Sequence, residues 1–288
     1  MLVAGALFAT MGTFAKLLGT QFSGAELSLY RSLIGFILVG AFILWKRQAV
    51  LTPFWRGHFW RGATGTISLI GYFYAMTKLP LATAITLNYT SPIFLTILSS
   101  ILLKEKLSRR LVFAIALGFV GVALLLRPTF EGDNAHAGFI GLASGFFAAC
   151  AYVNVKKLGD AGEPEWRVVF YFAIAGTIGS AIFQTLATGS FQAINASNTP
   201  YLLGLGIAAT AAQLAMTRAY HSGNTLVVGA FAYSTVIFAS LAGIFIFNEI
   251  LPPIAWVGMA IIIVSGLLAK RADKKIQATL AKSSAEAD

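Results

Sequence analysis

Long apolar runs alternate with short polar joints along this chain. Ten of the runs are long enough to cross a bilayer, which takes about 20 residues per helix. They cover residues 2–20, 27–45, 59–78, 81–103, 109–127, 138–156, 167–188, 200–220, 225–248 and 252–270. A membrane β-barrel would show segments of about ten residues with alternating polarity. These runs are too long and too continuous for that, so the pattern predicts an all-α integral membrane protein with ten transmembrane helices. The first run starts at Leu2 without a basic leader or a small-residue cleavage site, and it reads as a span rather than a signal peptide. Beyond the last run, Ala272 to Asp288 is polar and is expected to be a solvated, disordered cytoplasmic tail.

Charge orients the spans. Ten crossings put both termini on one side. If that side is the cytoplasm, 17 cations fall in cytoplasmic segments, Arg56, Arg61, Arg110, Lys157 and Arg218 among them. At most four, Lys16, Arg31, Lys78 and Arg127, lie toward the other side. Cytoplasmic loops carry the excess of Lys and Arg in membrane proteins, so the expected location is the cytoplasmic membrane, with both termini inside.

The chain also repeats itself. At an offset of 140, Gly5, Ala9, Lys16, Leu18 and Gly19 match Gly145, Ala149, Lys156, Leu158 and Gly159, and Ala75-Met76-Thr77-Lys78 matches Ala215-Met216-Thr217-Arg218. At an offset of 144, Tyr89, Ile93, Phe94, Glu105 and Leu107 match Tyr233, Ile237, Phe238, Glu249 and Leu251. Five spans per half is an odd number, so the second half is expected upside down in the membrane. Inverted repeats are a transporter architecture in which a central site opens alternately to each side.

Several of these residues carry a family resemblance. Tyr30-Arg31, the segment Tyr74 to Ala82, the run Tyr89-Thr90-Ser91-Pro92-Ile93-Phe94, the turn Lys104-Glu105-Lys106-Leu107 and Gly118-Phe119-Val120-Gly121-Val122 together resemble an EamA-type member of the drug/metabolite transporter superfamily. The resemblance implies two five-helix repeats, residues 1–135 and 136–271, around a central cavity, followed by the tail at 272–288. It also implies a carrier of small organic metabolites. Export of amino acids or related compounds is slightly favoured by the resemblance, and uptake of a vitamin or nucleoside-like compound stays open. The halves are not chemically symmetric, since Pro92 and Arg31 have Val236 and Tyr171 as counterparts.

Composition narrows the function classes. The 288 residues are 57% apolar and 11% charged, with a mean hydropathy of +0.77. A soluble domain has about 25% charged residues, so a soluble enzyme is excluded. The net charge of +10 is spread over short joints, which points to lipid headgroups as partners rather than nucleic acid. One cysteine, Cys150, and three separated histidines, His58, His136 and His221, form no metal site. No phosphate-binding loop is present, so neither a cofactor nor direct ATP use is expected. An intramembrane enzyme, the rival class, would need a nucleophile with its base or a metal within the bilayer. No carboxylate falls at the centre of a span. That argues against a mid-membrane acidic proton relay and leaves facilitated diffusion, exchange against a counter-substrate, or proton coupling through groups nearer the surface.

Neutral polar stripes at helical spacing supply the candidate cavity. They are Thr64, Ser68 and Tyr72 on span three, Thr86, Tyr89 and Thr90 on span four, Asn154 on span six, Thr210 and Gln213 on span eight, and Tyr233 on span nine. Helix-to-helix hydrogen bonding accounts equally well for half or more of them. Lys16 and Arg31 read either as snorkelling cations or as an anion-attracting outer vestibule, with Glu26 within pairing reach of Arg31. Pro92 predicts a kink or gate in the first half only. Glu105 and Glu249 each precede a span and read as structural helix caps.

Overall fold

A computed structural model describes the chain apart from residues 80, 104–107, 127–134, 249 and 286–288; of residues 76, 77, 81–83 and 273–285 it describes the backbone alone. Glu105 and Glu249 therefore lie outside the described residues, and with them the two capping assignments. Among the described residues all regular structure is helical. The helices are α1 (Leu2–Leu18), α2 (Gly24–Lys46), α3 (Trp55–Lys78), α4 (Leu81–Asn88), α5 (Ser91–Leu102), α6 (Arg109–Leu126), α7 (Ala135–Asp160), α8 (Glu165–Ala187), α9 (Thr199–Ser222), α10 (Thr225–Ala232), α11 (Ser234–Phe247) and α12 (Pro253–Ala285).

Twelve helices make ten spans because the fourth and ninth are each broken in two. By length and composition eight stretches can cross a membrane, Ala84–Leu102 and Thr225–Phe247 counted whole. The other two spans are α1, an apolar helix of 17 residues, and α3, which is 24 residues long but carries Arg56, His58 and Arg61. Ile37, Ile178, Ile207, Ile263 and Phe245 are all more than half exposed along their helices. Water would not tolerate so much outward apolar surface, and lipid does.

The tail departs from expectation: α12 continues past the last apolar residues as far as Ala285. Its sequence there, rich in Ala and Lys with neither Gly nor Pro, has high intrinsic helix propensity and nothing to stop it.

Packing follows the internal repeat. The third span packs along the sixth (α3 on α7), and the eighth packs along the first (α9 on α1). The fourth span lies on the sixth (α4 and α5 on α7), and the ninth lies on the first (α11 on α1). The second and seventh (α2, α8) pack on each other, as do the fifth and tenth (α6, α12). Each pair becomes another pair, or itself, when five spans are added. Small residues permit the closest approaches: a Cβ at Gly121 would lie 2.8 Å from the Gly258 carbonyl oxygen, and one at Gly258 would lie 2.6 Å from that of Gly121.

Both ends of the α2–α8 pair are tied. At the far face, opposite the start of α1, Ser23 caps α2 in a capping box with Glu26. Ser23 Oγ donates to Gln184 Oε1 at 2.8 Å, and one turn further in Ser28 and Ser180 share a hydrogen bond of 2.8 Å. At the near face, where α1 begins, Glu163 accepts from Thr52 Oγ1 (2.6 Å) and Arg167 Nη1 (3.0 Å) and lies 2.9 Å from His58 Nε2.

Candidate functional site

The two broken spans bring the site together. Tyr89 follows α4 and Tyr233 follows α10, so these equivalent residues stand at the two breaks. Their rings lie with centroids 6.3 Å apart, so the two equivalent positions meet. Pro92 does not explain the geometry, and a kink confined to the first half is corrected: span nine breaks at the same place with Val236 in the proline's position. What the halves share is a hydroxyl. Thr90 Oγ1 donates to the Leu87 carbonyl at 2.6 Å, and Ser234 Oγ to the Phe231 carbonyl at 2.7 Å. Each of these carbonyls also accepts a backbone N–H, from Thr90 and from Tyr233, so the hydroxyl adds a second donor at the bend. Pro92 sits in the first turn of α5, where its missing N–H costs nothing.

A glycine receives each break. A Cβ at Gly145 on α7 would lie 2.9 Å from the Leu87 carbonyl oxygen, and one at Gly5 on α1 would lie 2.9 Å from Ser234 Oγ. Gly5 and Gly145 are equivalent at the offset of 140.

Around the tyrosine pair lie Tyr72, Tyr152 and Tyr220. Tyr72 and Tyr152 are within electrostatic range of Tyr89, and the Tyr152 ring stacks on Tyr220 at 5.1 Å. Tyr233 is wholly buried, and its hydroxyl has no hydrogen-bond partner. Thr235, beside the opposite break, lies close to the Tyr89 hydroxyl.

The other predicted residues divide into two groups. Thr210 and Gln213 join Arg31, Ser32, Gly35 and Phe172 around a small cavity between α2, α8 and α9, with Gln213 Nε2 unpartnered. That cavity, about 20 Å³, has room for one water-sized group. Thr210 also borders a larger crevice of about 540 Å³ on the near-face side, lined by Leu38, Phe42, Trp166, Leu214 and Arg218. By contrast, Thr64 donates to its own helix at the Trp60 carbonyl, Asn154 donates to the Cys150 carbonyl, and Ser68 ties α3 to the Ser144 carbonyl of α7. These three serve helix geometry and packing, as does Thr90. Thr86 is buried on α4.

The outer vestibule of Lys16 and Arg31 does not form. Lys16 is exposed, with its ammonium 4.2 Å from the Phe247 ring centroid, whereas Arg31 is 7% exposed and faces α8 and α9. Nor does Glu26 pair with Arg31. One Glu26 oxygen accepts from the Ser23 N–H at 2.8 Å and the other from the Gln192 N–H at 2.6 Å, and five helical positions turn Arg31 to another side.

Sequence reasoning missed Arg61. Counted above with the cytoplasmic cations, it is 2% exposed within α3, with its guanidinium 4.0 Å from the centroid of the Phe172 ring. Its Nη1 occupies the space that a side chain at Gly65 would need, one turn deeper. The signal lay in Arg61-Gly62-Ala63-Thr64-Gly65, a long cation followed by two notches, and in a helix that starts at Trp55 rather than 59. Among the described residues, no group of His, Cys, Asp and Glu could hold a metal ion.

The chain also matches known transporters over most of its length. A riboflavin transporter of Vibrio cholerae is 28% identical, over 92% of this chain and 89% of its own length. A pseudopaline exporter, CntI, of Pseudomonas aeruginosa is 26% identical over 94% and 95%. An uncharacterized transporter of Helicobacter pylori is 27% identical over 93% and 92%. A crystal structure superimposes with a TM-score of 0.81 at 19% identity, covering 95% of this chain and 96% of the other, and shows the same fold. The family profile matches twice, over residues 1–127 and 137–270, so the chain belongs to the EamA-like transporter family and is a multi-pass membrane transporter of small molecules rather than an enzyme.

Proposed function

We propose that the protein is a secondary, ATP-independent carrier working by alternating access in the cytoplasmic membrane, with both termini in the cytoplasm. Its halves, residues 1–135 and 136–271, are inverted repeats followed by the tail at 272–288. The carrying observation is the meeting of Tyr89 and Tyr233 at two equivalent helix breaks. Broken helices at the interface of inverted repeats are where carriers bind cargo, and the breaks here are held by hydroxyls rather than by the loss of a donor, which leaves them free to straighten and bend. Exchange of packing pairs under a five-span shift supports the repeat.

The cargo is a small organic metabolite. Amino acids or related compounds, exported, are the leading class; relatives bear names of both exporters and uptake transporters, so import of a vitamin or nucleoside-like compound is the alternative. Purified protein in liposomes, offered a panel of labelled metabolites with and without a pH gradient, tests the reading. At least one solute is expected to exchange or accumulate, and dependence on the pH gradient separates proton coupling from exchange. A panel in which no solute moves under any gradient overturns the carrier.

A further inference from the structure

Two arginines stand inside the bundle with no carboxylate among the described residues to neutralise them. Arg31 and Arg61 are 7% and 2% exposed, and among the described residues neither forms an ion pair with a carboxylate. They approach one another across Phe172: the Arg61 guanidinium lies over that ring, and Arg31 shares its small cavity with it. Arg61 Nε and Nη1 are buried without a hydrogen-bond partner, and Gln213 Nε2 on the cavity wall is likewise unpartnered. An isolated buried cation is costly, and a second beside it makes the cost worse. Gly65 gives up a side chain so that the Arg61 fork fits. A ligand carrying negative charge would relieve this arrangement.

The unpartnered groups are all N–H donors and the local charge is positive, so the missing partner presents lone pairs and negative charge. A guanidinium fork matches a carboxylate through two parallel hydrogen bonds. Neither arginine has a counterpart in the second half, where Tyr171 and Tyr201 occupy the equivalent positions; the site thus belongs to one bound orientation rather than to the symmetric scaffold. We infer that Arg31 and Arg61, with Gln213, form the site for a carboxylate of the transported solute, whose organic body rests against the tyrosines beside them. This deepens the carrier reading and rests on it for the word transported; the binding site itself does not.

The test uses the full chain in detergent, probed by thermal unfolding with acetate, succinate, glutamate and citrate, with their uncharged amides, and with inorganic phosphate. At least one carboxylate is expected to raise the melting temperature of the wild type, and its amide is not. Arg31→Gln and Arg61→Gln are expected to weaken that carboxylate at least tenfold, and Arg61→Lys to weaken it less. Without ligand, both Gln variants are expected to melt no lower than wild type, since each removes an uncompensated buried charge; this separates lost binding from lost folding. Should a Gln variant melt lower, Gln213→Leu supplies the binding comparison. The inference is overturned if no carboxylate stabilises the wild type, if the variants bind as well as it does, or if phosphate alone gives the arginine-dependent shift. In liposomes, a solute carried equally well by wild type and both Gln variants sinks the site and leaves the carrier. Arginine-dependent binding with no movement of any solute does the reverse.

Discussion

Glu163 shows how much a single side chain can hold at the membrane surface. It sits between α7 and α8 and collects Thr52, His58 and Arg167, and Arg167 in turn donates to the Ala49 carbonyl at 2.7 Å. Burial pushes its carboxyl up, but the hydrogen bonds from Thr52, His58 and Arg167 and the Arg167 charge outweigh burial and hold it below the ordinary value of 4.5. A carboxylate with a lowered folded pKa contributes stability that is complete above the unfolded value and disappears as the pH falls through the folded one. Stability against thermal unfolding in detergent is therefore expected to fall below pH 4.5. In Glu163→Gln that acid-side loss should be smaller, from a starting point about 2 kcal/mol less stable at neutral pH. An unchanged acid profile in the variant would assign the pH dependence to other groups. Arg61 carries the opposite lesson. The charge count sets it among the cytoplasmic cations at the start of the 59–78 run, because hydropathy averages over a window, and a cation seated in a glycine notch looks the same to that average as one in water.

At the level of helices, the ten spans were legible because an apolar stripe wide enough for a bilayer leaves no other reading. The breaks were not. Pro92 was the visible breaker, yet the structural device is the hydroxyl following each tyrosine, and Thr or Ser in an apolar run is too common to mark a bend by itself. Two substitutions separate these causes. Pro92→Ala restores an N–H at a helix start and is expected to keep transport within about twofold of wild type. Gly145→Ala pushes a methyl against the Leu87 carbonyl and Thr90 Oγ1. It should cost about 1–3 kcal/mol of stability by overpacking and slow transport, whereas Gly12→Ala, with nothing within 4 Å, should do neither. Initial rates in liposomes and melting temperatures decide: a Pro92→Ala protein that no longer moves solute would return the gate to the proline. The vestibule failed for a related reason. Two cations on neighbouring spans look adjacent in sequence, but Lys16 leans on α11 while Arg31 turns to α8 and α9, and only the packing of the helices tells these faces apart.

For the whole molecule, the proposed alternating access would have to change the pairing of α2 with α8. These two helices belong to different halves and pack on each other in antiparallel fashion, fastened at the far face by Ser23–Gln184 and Ser28–Ser180 and at the near face by the Glu163 cluster. The two side-chain bonds between α2 and α8 at the far face are neutral, whereas the near face is held by charge. Opening a central site toward the far face requires the Ser28–Ser180 contact to separate, and packed interfaces of this kind switch between discrete arrangements rather than stretch. With Cys150 replaced by Ala, the double variant Ser28→Cys/Ser180→Cys places two thiols where the hydroxyl oxygens stand 2.8 Å apart. Oxidation is expected to stop solute movement in liposomes and reduction to restore it. Binding measured in detergent should survive oxidation, because the tyrosines and arginines of the centre do not depend on that end being open. Transport that continues undiminished through a formed disulfide would mean that the halves do not part along α2 and α8, and that the solute passes by another seam.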